Sequence, residues 1–80
     1  MLGESHDILH EFPEHKAKIQ QLATDNAAFA DQIKAHDALD AEIRDLEERE
    51  QPTTDEHMEE LKYKRTQLKD EIYAFIRANL

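Results

Sequence analysis

Residues 48–57, EREQPTTDEH, join two long runs of helix-forming sequence, and the chemistry of this stretch sets the arrangement of the chain. Proline lacks an N–H and its ring collides with the carbonyl four residues back, so a helix approaching Pro52 stops before it. Thr53 or Thr54 then offers a hydroxyl to the free N–H groups of a new helix, and Asp55 and Glu56 put negative charge in its first turn. With Thr53 as the cap, Glu56 completes a capping box. The pattern predicts a long helix over about residues 25–50, a turn at 51–54 and a second helix over about 55–78.

The apolar spacing on either side supports a reversal at that turn. Downstream, Met58, Leu61, Arg65, Leu68, Ile72, Phe75 and Asn79 recur at alternating steps of three and four, a single seam on one helix face. Upstream, Phe29, Ile33, His36, Leu39, Ile43 and Leu46 keep the same rhythm apart from one three-three slip at His36. Folded at residues 52–53, the stripes meet layer by layer. Leu46 faces Met58, Ile43 faces Leu61, Leu39 faces Arg65, His36 faces Leu68, Ile33 faces Ile72, and Phe29 faces Phe75 or Ile76. The expected fold is all-α, an antiparallel coiled-coil hairpin within one domain over residues 1–80. At about 1.5 Å per residue, each arm is about 33–38 Å long. On the seam, the Arg65 stem is expected to pack while its guanidinium reaches Asp40 or Glu42. His36 reads as a half-buried core imidazole.

The N-terminal segment, residues 1–24, reads as one or two short helices, about 5–12 and 13–23. Ser5 is placed to cap the first, which carries Ile8, Leu9 and Phe12. Pro13 ends it and suits the first position of the next, which carries Ile19 and Leu22. Ala23-Thr24-Asp25-Asn26 reads either as a cap opening the long helix or as part of a continuous stretch with mild irregularity.

Composition excludes several classes. The chain is 36% charged and 6% aromatic, with one glycine, two prolines and no cysteine. Its net charge of −9 is uneven. Residues 1–39 carry seven acids and three bases, residues 40–60 ten acids and two bases, and residues 61–80 two acids and five bases. The bend of the hairpin is therefore its acidic end, with Glu47, Glu48, Glu50, Asp55 and Glu56 as the tip. Such a surface repels nucleic-acid backbones and anionic membranes, so neither is an expected partner. No apolar run approaches the ~20 residues of a membrane span, and the first residues lack a secretory signal and the myristoylation pattern. A cytoplasmic location is expected.

HDILHEFPEH, residues 6–15, comes within one residue of two zinc-protease signatures. His6 and His10, at i,i+4, share a helix face as zinc ligands do. H-E-x-x-H needs a second histidine at position 14, where Glu14 stands. H-x-x-E-H needs one at position 11, where Glu11 stands. Pro13 also breaks the helix that both motifs presume, so catalytic zinc is not expected. His6 and His10 are at most a weak metal pair. With no cysteine nucleophile, no glycine-rich phosphate loop and no Ser-His-Asp arrangement, neither catalysis nor a cofactor is expected.

Ser5-His6-Asp7, Glu11-Phe12-Pro13-Glu14 and Leu68-Lys69-Asp70-Glu71 carry a resemblance that runs over nearly the whole chain. The sequence resembles the YdcH-like family of small bacterial proteins, a domain of unknown function. The resemblance implies an all-helical coiled-coil hairpin and no known enzymatic activity, and it assigns no active-site residues.

Apolar residues are left over once the hairpin seam is satisfied: Ile8, Leu9, Phe12, Ile19, Leu22, Tyr63, Tyr73, Ile76 and Leu80. At about 25 cal/mol per Å² of buried apolar area, a two-helix seam hardly offsets the entropy of ordering its residues. Either residues 5–22 fold back across the open end of the hairpin, or a second chain covers it. The expected function is a non-enzymatic interaction module acting through self-association as a homodimer, partner docking, or both. Its contact residues are then Ile8, Leu9, Phe12, Ile19, Leu22, Tyr73, Ile76 and Leu80. The alternative is an acidic-tipped finger that binds RNA polymerase or another basic partner.

Overall fold

A computed structural model describes residues 7–48 and 54–80. The described elements are helical throughout. They are α1 (Ile8–Glu11), a 3₁₀ turn (Pro13–His15), α2 (Lys16–Asp25), α3 (Ala27–Glu48) and α4 (Asp55–Ala78). Gln51, Pro52 and Thr53 of the expected turn lie outside the described residues.

The second arm opens on Thr54, whose extended backbone lets its hydroxyl accept the His57 N–H at 3.0 Å. The cap is Thr54, one of the two threonines expected, and the residue three positions on is His57, while the capping box of Thr53 with Glu56 falls on a residue outside those described. Asp55 and Glu56 still occupy the first turn, where carboxylates oppose the positive end of the helix dipole. At the far end the Asn79 side-chain amide donates to the Phe75 carbonyl at 2.8 Å, with Arg77 in the last turn.

Helices α3 and α4 pack antiparallel. Phe29 lies on Phe75 with ring centroids 4.6 Å apart, Gln32 reaches Glu71 at 3.5 Å, and Arg65 reaches Asp40 at 2.9 Å. Nearer the bend, Lys62 stands 3.7 Å from Glu47. One layer departs from expectation. Arg65 faces Asp40, and Leu39 is only half-buried beside the seam. The three-three slip at His36 therefore disappears. Phe29, Ile33, His36, Asp40, Ile43 and Glu47 follow alternating steps of four and three, a heptad whose polar member is buried.

The N-terminal segment folds back onto this hairpin. Asp7, in extended backbone, is the observed cap of α1, and its side chain accepts the His10 N–H. Ser5, the expected cap, lies outside the described residues. Pro13 takes the first position of the 3₁₀ turn that leads into α2, where its missing N–H costs no bond. Asn26 then breaks the chain between α2 and α3. Its backbone is extended, its N–H donates to the Leu22 carbonyl at 2.9 Å, and its side chain accepts the Phe29 N–H at 3.1 Å.

The main core sits at the open end, where all four helices meet. Ile8, Ile19, Leu22, Phe29, Ile72 and Ile76 are buried there, with Leu9, Phe12, Ala23, Ile33 and Phe75 packed around them. Toward the bend the seam is thinner, held by buried Ile43 and Leu61. The whole measures 41 × 21 × 17 Å, a short rod.

Ile72, fully buried at the centre of this core, is the position where truncation is felt most. Ile72→Val is expected to lower unfolding free energy by about 0.5–1.5 kcal/mol and Ile72→Ala by about 2–5 kcal/mol. Tyr63→Ala, on an exposed face, is expected to stay within about 0.5 kcal/mol of the parent. Urea melts followed by circular dichroism check the series.

Candidate functional site

Three groups of side chains qualify for inspection. The first is a polar layer inside the hairpin. Asp40 is fully buried, with Arg65 Nη1 at 2.9 Å from one oxygen and Arg44 Nε at 3.3 Å from the other. The Arg44 Nε is buried without a hydrogen bond of good geometry, so its contact with Asp40 is one of charge. Both guanidinium stems lie along the seam while part of each side chain reaches water. The sequence reading gave the seam position to Leu39, with Asp40 only as a target for Arg65, and so missed the burial. The signal was present in the steps from His36 to Asp40 to Ile43, which fit the heptad better than Leu39 does.

One turn away, His36 is buried, not half-buried, with its Nδ1 3.1 Å from Asp37 Oδ1. The same oxygen accepts the Ile8 N–H at 3.0 Å. Asp37 thereby ties the first residue of α1 to α3, across 29 positions of sequence. Nothing in the local sequence marks Asp37 for this, because its partner is a backbone group that arrives only when the segment folds back.

The second group is the histidine-rich N-terminus. His10 Nδ1 contacts Asp7 Oδ1, and His15 lies 3.8 Å from Glu14. His6 is outside the described residues. Among those described, no group of three His, Cys, Asp or Glu side chains stands in an arrangement that fits a metal ion. A shallow, open depression of about 310 Å³ lies here, lined by Asp7, Leu9, His10, Pro13 and Lys16.

The third group is the acidic end. Glu47, Glu48, Asp55 and Glu56 gather where α3 finishes and α4 begins, while Glu50 lies outside the described residues. Glu47 pairs with Lys62 and Glu60 with Lys64 at 3.2 Å. Glu48, Asp55 and Glu56 are exposed and have no ion-pair partner among the described residues.

The residues expected to form a contact surface are mostly spent inside the chain. Ile8, Ile19, Leu22 and Ile76 are buried, and Leu9 and Phe12 pack against them. Tyr73 is 36% exposed, stacked on Phe12 at 4.9 Å with the Arg77 guanidinium 5.7 Å above its ring. Only Leu80, 71% exposed, stands clear of the core. Of the two ways to cover the open end, the structure shows fold-back by residues 8–25 of the same chain.

No described helix is long and apolar enough to cross a membrane. A rod of packed helices with a buried ion layer and an acidic end defines a small helical-hairpin protein. A family model described as "Protein of unknown function (DUF465)" matches residues 29–76, more than half of the chain, and the chain belongs to that family. YdcH-like proteins are part of it, in agreement with the sequence resemblance. The match covers the hairpin from Phe29 to Ile76 and is narrower than the near-complete resemblance, since Ser5-His6-Asp7 and Glu11-Phe12-Pro13-Glu14 fall outside it. No curated protein and no solved structure matches the chain.

Breaking the buried layer tests its geometry. Arg65→Met takes from the enclosed Asp40 carboxylate its cation of the opposite arm, and is expected to cost about 3–5 kcal/mol. Arg65→Met combined with Asp40→Leu should recover most of that loss, because no charge is then stranded. Urea midpoints of the two variants decide the matter. Separately, Asp37→Ala removes the acceptor of the Ile8 N–H and should weaken α1 docking by about 1 kcal/mol. Faster amide exchange at Ile8, with little change at Ile72, is the expected readout.

Proposed function

We propose that the protein is a non-enzymatic interaction module whose acidic bend docks a basic protein surface. The observation that carries this reading is the division of charge along the rod. Among the described residues, the cations toward the bend are committed to carboxylates, Lys62 to Glu47 and Lys64 to Glu60, with Arg44 and Arg65 on Asp40 farther along the rod. Glu48, Asp55 and Glu56 are exposed at the end without such partners among the described residues. Asp55 and Glu56 favour the start of α4, but the dipole asks nothing of Glu48, and like charges gathered at one end repel each other. A basic surface approaching end-on would relieve the repulsion and meet little competition from the protein's own cations.

The apolar alternative has less surface to work with, because the leftover stripe is consumed in the core at the open end. The acidic end also suits recognition that is fast and sensitive to salt. Beyond about 10 Å such attraction is screened at 0.1 M ionic strength, so it steers a partner only at close approach.

The test uses the full chain as bait in bacterial lysate, beside the variant Glu48→Gln/Asp55→Asn/Glu56→Gln. Proteins held by the parent are expected to be basic, to elute as salt rises, and to be lost from the variant while its helical circular dichroism persists. An unchanged set of captured proteins on the variant would defeat the proposal.

A further inference from the structure

From Lys16 to Glu48 every residue except Asn26 is helical. Asn26 alone, with φ −139° and ψ 104°, turns α2 back beside α3. One side-chain bond to the Phe29 N–H holds it in place. Its neighbours Ala23, Ala27 and Ala28 are strong helix formers. A link so short between two packed elements is the kind of hinge through which chains exchange parts.

What α1 and α2 cover is equally suggestive. Ile8, Ile19 and Leu22 close over Phe29, Ile72 and Ile76. Phe12 stacks on Tyr73, and the Ile8 N–H bonds to Asp37. The 3₁₀ turn packs on both α1 and α2, so residues 8–25 form one unit joined to the hairpin only through Asn26.

We propose that residues 8–25 exchange between two copies of this chain, each copy's α1–α2 unit covering the other's Phe29, Ile72 and Ile76. When Asn26 takes helical dihedrals, α2 and α3 become one helix of about 50 Å, and the unit swings away from its own hairpin. A second copy offers the identical face, so the apolar core, the ring stack and the Asp37 bond all re-form across the pair. The exchange is reciprocal and closes at two copies. It joins the molecules at their open ends, away from the acidic residues of the bend, so the densest like charges stay apart. The two forms differ chiefly at Asn26, and the dimer gains with concentration. This inference is independent of the docking proposed for the acidic bend.

The test begins with the parent chain. Copies labelled with ¹⁴N and ¹⁵N are mixed equally, unfolded together, refolded at about 1 mM where mass action favours the dimer, and separated by size with light scattering. The dimer fraction is cross-linked through amines, and links from Lys16 or Lys18 to Lys34 or Lys69 are read by mass. Heavy-to-light links at the statistical share are expected in the dimer and none in the monomer. Absence of a dimer, or a dimer whose links of this type join only like isotopes, would overturn the proposal. Asn26→Ala and Asn26→Gln, which lose the cap and favour helix, are expected to tighten dimerisation about tenfold at unchanged helicity. Folded variants that dimerise no better than the parent would count equally against it.

Discussion

The structure depends on how the open end of the hairpin is covered. Two helices meeting along one seam leave the outer sides of Phe29, Ile72 and Ile76 to water, and burying them is the largest apolar gain still available to the chain. Ile8, Ile19 and Leu22 supply the cover. The segment before Phe29 is therefore a working part of the core in this protein, although the family match begins at Phe29. The same packing takes away the surface that an unfolded-back segment would have offered to other molecules.

The middle of the rod is organised on a different principle. Asp40 lies on the buried seam between His36 and Ile43, answered by Arg65 from the opposite arm and Arg44 from its own. Buried ion pairs contribute little net stability, because removing both charges from water offsets most of their attraction. Their effect is on alignment. If α4 slid by one heptad layer, Asp40 would face an apolar residue and Arg65 would lose its partner, while the apolar layers could still pair approximately. The correct register is set by the one layer that cannot tolerate substitution of neighbours.

Charge beyond this layer separates by position. Among the described residues toward the bend, Lys62 and Lys64 are already engaged with carboxylates, and Glu48, Asp55 and Glu56 stand exposed. Because the rod is narrow, that end presents its carboxylates without a surrounding apolar surface to desolvate them. Such a surface suits electrostatic recognition far better than proton transfer, which needs a carboxyl drawn out of water.

The hairpin was legible in the sequence because local rules decide it. Proline at position 52, a threonine cap ahead of Asp55, and stripes at alternating steps of three and four act within a few residues of where they stand. Thr54 is one of the two threonines expected to cap the second arm, and Asp40 in place of Leu39 on the seam was an error of one position within a correct frame. The reach of Arg65 to Asp40 was among the expected pairings, but the burial of Asp40 was missed because an acid is normally solvated and the seam was assigned to Leu39. The course of residues 8–25 belongs to tertiary structure. The pattern of Ile8, Phe12, Ile19 and Leu22 says only that an apolar face must be covered, and the same face suits its own hairpin or a neighbour's. In the single chain the extended backbone of Asn26 turns α2 back, so that the nearest complementary surface is the one covalently attached.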